Sequence, residues 1–139
     1  MSYKIVGKYI KKLNFNIPNP KTFFLLSKDI SNYKINIDIN SNEIKDDIVE
    51  VQISLSLKSN ITQDNIINTE IIYSAIIEIS EKNNSKEQIE KIILIDVPTE
   101  IYPELRKIFI FIFESSGFKE IKINEKVDFQ KLLNLRKTQ

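Results

Sequence analysis

Val49-Glu50-Val51-Gln52-Ile53-Ser54-Leu55-Ser56-Leu57-Lys58 alternates apolar with polar residues without a break. The same rhythm runs on either side of it. Upstream, Tyr33, Ile35, Ile37 and Ile39 face one way, with Lys34, Asn36 and Asp38 between them. Downstream, Thr69, Ile71, Tyr73, Ala75, Ile77 and Ile79 share a face. Successive side chains of a strand point to opposite sides of a sheet, so a period of two predicts half-buried antiparallel strands. The β-branched content agrees. The stretch Asn32–Ser80 therefore predicts three consecutive strands joined by polar turns at Asn40–Asp47 and Ser59–Asn65. In the last of them Ile72 and Ile76 occupy the side that should be polar, and a strand in that state needs cover on both faces.

Before this stretch, Tyr3–Ile17 predicts a first strand. Ile5, Tyr9, Leu13, Phe15 and Ile17 lie on one face and Lys4, Lys8, Lys12, Asn14 and Asn16 on the other, with Val6 and Ile10 as exceptions. Pro18-Asn19-Pro20 stops it, because proline supplies no ladder donor and restricts its neighbour. Lys21–Ser31 is too long for a hairpin turn and carries Phe23-Phe24-Leu25-Leu26. Four such side chains need cover, either by the domain's own core or by a ligand.

After the strands, Glu81–Lys86 is a polar linker, and Glu87–Asp96 fits a helix or a collapsed segment equally well. Val97–Thr99 predicts a break. Thr99 then caps a helix with Pro103 in its opening turn. Ile101, Leu105, Ile108, Phe109, Ile112 and Phe113 follow at helical spacing, while Ile110 and Phe111 interrupt the polar side. Such a helix must be sandwiched rather than laid on a surface. Gly117 ends it. Phe118–Asn124 is extended and Val127–Arg136 a terminal helix. The whole is one α+β domain spanning 1–139, with a four-stranded antiparallel meander, a long helix and a short C-terminal helix.

The 139 residues carry a net charge of +1 and neither cysteine nor histidine. Disulfides, thiolate chemistry, the usual zinc sites and the commonest general base are thereby excluded. The longest apolar run, Ile108–Phe113, falls far short of the ~20 residues of a membrane helix. Met1–Ile10 has no continuous apolar core of the signal-peptide kind. A cytoplasmic protein that does not insert into membranes is the expectation. The only glycines are Gly7 and Gly117, so there is no phosphate-cradling loop. Asp46-Asp47 are neighbours whose side chains point apart, which suits a solvated turn better than a shared proton or cation. Lys4, Lys8, Lys11 and Lys12 with Tyr9 suggest a strand guarded against aggregation rather than a nucleic-acid platform. No metal, cofactor or enzymatic centre is expected.

The order of parts resembles the SecB family of protein-export chaperones. The matches are Tyr9…Phe15…Pro18-Asn19, Asp46-Asp47-Ile48…Glu50-Val51, Pro98…Tyr102-Pro103-Glu104-Leu105-Arg106 and Ile123…Val127-Asp128-Phe129…Leu132. The resemblance implies subunits whose sheets pair edge to edge into dimers, and two dimers that sandwich their long helices into a homotetramer. Val6, Ile10, Ile108, Phe109, Ile112 and Phe113 are the oligomer-interface residues expected on that basis.

The resemblance also implies long apolar grooves that hold unfolded preproteins without ATP, for delivery to the SecA translocation ATPase. Phe23, Phe24, Leu26 and Ile30 of the crossover and Phe129 and Leu132 of the tail are the expected groove residues. Family members dock SecA through carboxylates. The matching positions on the first strand are here Lys12 and Asn16, and only Glu70 keeps its acid; Ser74-Ala75 replaces the family's glycine pair. Two other roles fit the same surface: an adaptor for one folded partner, and a SecB-like chaperone of a toxin–antitoxin system.

Overall fold

The computed structural model describes residues 3–30, 33–58, 68–80, 82–119 and 121–137. Four strands form one antiparallel sheet: β1 (Tyr3–Asn16), β2 (Lys34–Lys45), β3 (Ile48–Lys58) and β4 (Asn68–Ile79). Their spatial order is β1-β4-β3-β2, which leaves β1 and β2 as the two edges. The turn expected at Ser59–Asn65 lies outside the described residues.

β2 runs further than its hydrophobic pattern. Asn40–Lys45, expected in a turn, continues the ladder, with Asn40 opposite Gln52 and Asn42 opposite Glu50. The reversal is confined to Asp46 and Asp47, where Asp47 adopts a left-handed φ of 62° that a short polar side chain tolerates. An edge strand facing water on one side can be polar without ceasing to be a strand.

β1 departs from simple alternation, for a local reason. Its pairing with β4 skips a residue between Ile5 and Gly7 and again between Ile10 and Lys12. Each bulge inserts one unpaired residue and reverses which face the following side chains occupy. Ile5 therefore sits opposite Ile77, Ile10 opposite Tyr73 and Leu13 opposite Ile71, all on the buried face of β4. Tyr9, expected beside Ile5 and Leu13, is turned to the other face opposite Ser74. The misfit of Val6 and Ile10 in the alternation is the trace of these bulges.

The crossover is a helix, α1 (Pro20–Asp29). Asn19 caps it: the Asn19 side-chain oxygen accepts from the Thr22 backbone N–H at 2.8 Å, and Pro20 starts the first turn. Leu26 and Ile30 point into the core.

A second helix, α2 (Lys86–Lys91), opens on a reciprocal Ser85–Gln88 capping box. It passes through a π-helical turn at Ile92–Asp96 into α3 (Val97–Ser115) without interruption. The break expected at Val97–Thr99 is absent. Pro98 has no N–H to give and its ring would clash with the carbonyl four residues back; the wider turn relieves that conflict. Thr99 is an interior residue whose hydroxyl donates to the Ile95 carbonyl at 2.6 Å, so it caps nothing.

Gly117 takes φ 102° after α3. Phe118 N–H bonds to the Phe113 carbonyl at 3.0 Å and Gly117 N–H to the Glu114 carbonyl at 3.1 Å, a Schellman ending. The rings of Phe113 and Phe118 meet across it at 5.8 Å. The chain closes with α4 (Phe129–Lys137). Ile101, Leu105, Phe109 and Phe113 form the stripe of α3 buried against β3 and β4, where Val51, Ile53, Leu55, Ile71, Ala75 and Ile77 complete the core.

Candidate functional site: two troughs beside the long helix

α3 crosses one face of the sheet as a ridge, and side chains on both of its flanks tie it down. Toward β1, the Tyr3 hydroxyl donates to Glu100 at 2.8 Å. Lys8 and Tyr73 donate to the two oxygens of Glu104, each at 2.8 Å. Lys8 holds the Glu104 carboxyl below its ordinary range. Burial, followed by the bond to Glu104, pushes the Tyr73 hydroxyl up to about 12. Toward β2, the Tyr102 hydroxyl donates to the Asn124 carbonyl at 2.6 Å and Arg106 Nε to the Ile123 carbonyl at 3.3 Å. The segment Tyr102-Pro103-Glu104-Leu105-Arg106 thus has a division of labour. Tyr102 and Arg106 hold the C-terminal segment, Glu104 holds the sheet, and Leu105 fills the core.

The ridge leaves a trough on each side. On the β1 side, Ile10, Leu13, Lys107, Ile108, Phe111 and Ile112 line a hollow of about 420 Å³. Phe111 is 66% exposed and Ile10 and Leu13 nearly half exposed, so nothing in the subunit covers this wall. On the β2 side, Tyr33, Ile35, Ile37, Tyr102, Ile123 and Val127 line a cleft of about 240 Å³, with Lys34, Lys122 and Asn124 completing its wall. A second cleft, of about 170 Å³, shares Ile37 and adds Asp38, Ile39, Leu132, Leu135 and Arg136. The two clefts adjoin at Ile37 and together make up the β2-side channel, beneath the C-terminal segment and α4.

The expected site residues fall unevenly on this geometry. Ile10, Ile108 and Ile112 come together in the β1-side trough. Val6 is exposed at the first bulge of the same edge. Phe109 and Phe113 are fully buried against their own sheet, so no neighbouring subunit can reach them in this conformation. Of the groove residues, Leu132 lines the β2-side channel. Leu26, Ile30 and Phe129 are shut inside the core and support the walls without facing a ligand. Phe23 packs on Phe118 at 4.9 Å, and its ring comes within 3.1 Å of where a Cβ on Gly117 would be. Phe24 is 58% exposed, with the Lys28 ammonium 4.3 Å from its ring centre.

Leu13, Phe111, Tyr33, Ile35, Ile37, Val127 and Leu135 escape a reading of the sequence alone. The signal for the β2 set is present: an apolar face on a strand that proves to be an edge. Strand order, invisible in one sequence, is needed to use it.

The face of the sheet away from α3 carries a polar knot. Glu50 accepts from Lys11 at 2.8 Å, Gln52 at 2.9 Å, Ser74 at 2.7 Å and the Tyr9 hydroxyl. Burial alone would raise this carboxyl, but the four donors outweigh it and hold it at about 2. On the same face Glu70 is bonded to Lys12 at 2.8 Å. Among the described residues no group of three or more acidic side chains converges as a metal site would. No described helix is long and apolar enough to cross a membrane.

The family described as preprotein translocase subunit SecB matches residues 1–139. A curated protein of Pelagibacter ubique (strain HTCC1062), named as a candidate protein-export protein SecB, is 39% identical over 135 residues, covering 97% of this chain and 96% of its own. Among solved structures, the SecB-like chaperone of Mycobacterium tuberculosis, in complex with a peptide of the HigA1 antitoxin, superposes with a TM-score of 0.60. At 11% identity, over 88% of this chain and 91% of that one, it shares the fold.

Proposed function

Because the chain belongs to the SecB family, we propose that it is an ATP-independent holdase that keeps non-native polypeptides, export precursors among them, from aggregating. The observation that supports this most is the pair of clefts along the edge strand β2, where apolar side chains alternate with polar and charged ones. An unfolded segment lying there buries its apolar side chains among Ile35, Ile37, Val127, Leu132 and Leu135. It can also bond its backbone to the unpaired groups of β2 as an added strand. Each leucine-sized side chain buried contributes about 1.5–3 kcal/mol, offset in part by ordering the client. Affinity then comes from many weak contacts, and nothing in the scheme consumes ATP or needs a metal. Phe24, exposed on α1, is a further apolar side chain open to a client.

The β1-side trough suits a different occupant. It adjoins the other free edge, and a second copy placed edge to edge would cover Ile10, Leu13, Ile108, Phe111 and Ile112. Dimers built in this way and stacked through their α3 helices give the tetramer. Glu70 remains the candidate contact for SecA, but its charge is already shared with Lys12. The bound antitoxin peptide in the mycobacterial neighbour favours a second client class, the antitoxins of toxin–antitoxin systems. A cytoplasmic location fits either role.

The test is aggregation of a chemically denatured client diluted into buffer with the purified protein. Near-stoichiometric amounts should slow the rise in light scattering; an unchanged time course at tenfold excess contradicts the proposal.

A further inference from the structure

The cations of this chain are not equally committed. Along β1, Lys8, Lys11 and Lys12 are each bonded to a carboxylate, of Glu104, Glu50 and Glu70 respectively. The β2-side channel is different. Among the described residues, Lys34, Lys122 and Arg136 line it together with a single anion, Asp38. None of these three cations forms an ion pair among the described residues. Asp128, next to Val127 of the lining, caps α4 by accepting from the Lys131 N–H at 3.0 Å and keeps its charge, so the cations around the channel still outnumber the anions by three to two. A protein of almost zero net charge therefore presents a locally positive rim to whatever lies along its Ile35, Ile37 and Val127 side chains.

From this juxtaposition we propose that the channel selects unfolded segments in which apolar residues are interspersed with aspartate or glutamate, and disfavours lysine- or arginine-rich ones. The inference rests on the client-binding role proposed above and names the client class for that site. The physical reason is charge complementarity at the rim of a contact whose apolar core is indifferent to sequence. The floor supplies affinity and the cations supply choice. Cations clustered at the rim also raise the local concentration of acidic segments and speed their capture. Because all three cations are solvent-exposed, the preference is salt-sensitive by nature.

The experiment uses two peptides of about 20 residues with identical apolar residues in identical order, one with glutamate and the other with lysine at the intervening positions. Each carries the same neutral dye and is titrated with the intact protein. At low ionic strength the acidic peptide should bind about fivefold to tenfold more tightly, and the ratio should fall to under about twofold in 0.5 M salt. Lys34→Glu with Lys122→Glu and Arg136→Glu should invert the order while leaving the thermal melt of the protein in place. Should that variant melt early, the salt series on the native protein decides alone. Equal binding of the two peptides, or tighter binding of the lysine peptide, overturns the charge preference and leaves the holdase standing. Binding of neither peptide removes both.

Discussion

Lys8 on β1 and Tyr73 on β4 grip the same carboxylate of α3, that of Glu104, from two strands at 2.8 Å each. The long helix is thereby tied to two strands at one point of its length, on the flank that faces β1. The two bonds differ in worth. Both partners of the ion pair are more than a third exposed, so Lys8→Met should cost less than about 1 kcal/mol. Glu104→Leu leaves the largely buried Tyr73 hydroxyl without its acceptor and should cost on the order of 1–3 kcal/mol. Urea denaturation of both variants gives the comparison.

Glu50 makes stability acid-sensitive in a defined window. Its carboxyl titrates at about 2 in the folded protein against an ordinary value of 4.5. A depressed folded value means that the stabilisation is complete above pH 4.5 and is lost as pH falls toward 2. Glu50→Gln should lower stability at neutral pH by about 2 kcal/mol and flatten the acid limb between those values. Urea midpoints measured across pH give both quantities.

Much of the fold is legible in the sequence, and the failures have physical causes. The strand cores of β2, β3 and β4 can be read because one face of each is buried and the period is two. α1 goes unread although its signature, Asn19 followed by Pro20, is a plain cap and first turn; the run Phe23-Phe24-Leu25-Leu26 draws attention instead. The bulges in β1 are visible only as two misfits, Val6 and Ile10. Phe109 and Phe113 fall to an interface in that reading because helical spacing says which residues share a stripe, not which stripe meets the sheet. The β2-side channel needs the strand order, which local pattern does not contain.

Gly117 should tolerate no side chain. Its φ of 102° is strained for any other residue, and an added Cβ would approach the Phe23 ring to 3.1 Å. Gly117→Ala should cost about 1–3 kcal/mol. A thermal melt of the variant, compared with that of the same variant carrying Phe23→Leu, separates backbone strain from crowding, since the shorter side chain relieves only the crowding.

Charges placed in the β1-side trough should dissolve the proposed assembly without unfolding the chain. Ile10 and Phe111 are both well exposed, so Ile10→Asp with Phe111→Asp alters little in the isolated chain. Light scattering in solution should report a smaller particle with an unchanged circular dichroism spectrum. An unaltered mass contradicts the proposed edge-to-edge contact through this trough.

The most direct measurement is amide hydrogen exchange with and without a bound unfolded polypeptide. The β2-side channel as the client site predicts slowed exchange in 33–39, where the free edge gains partners, and in 122–136, where the overlying segment is held down. Exchange in both segments that is identical with and without the bound client contradicts it.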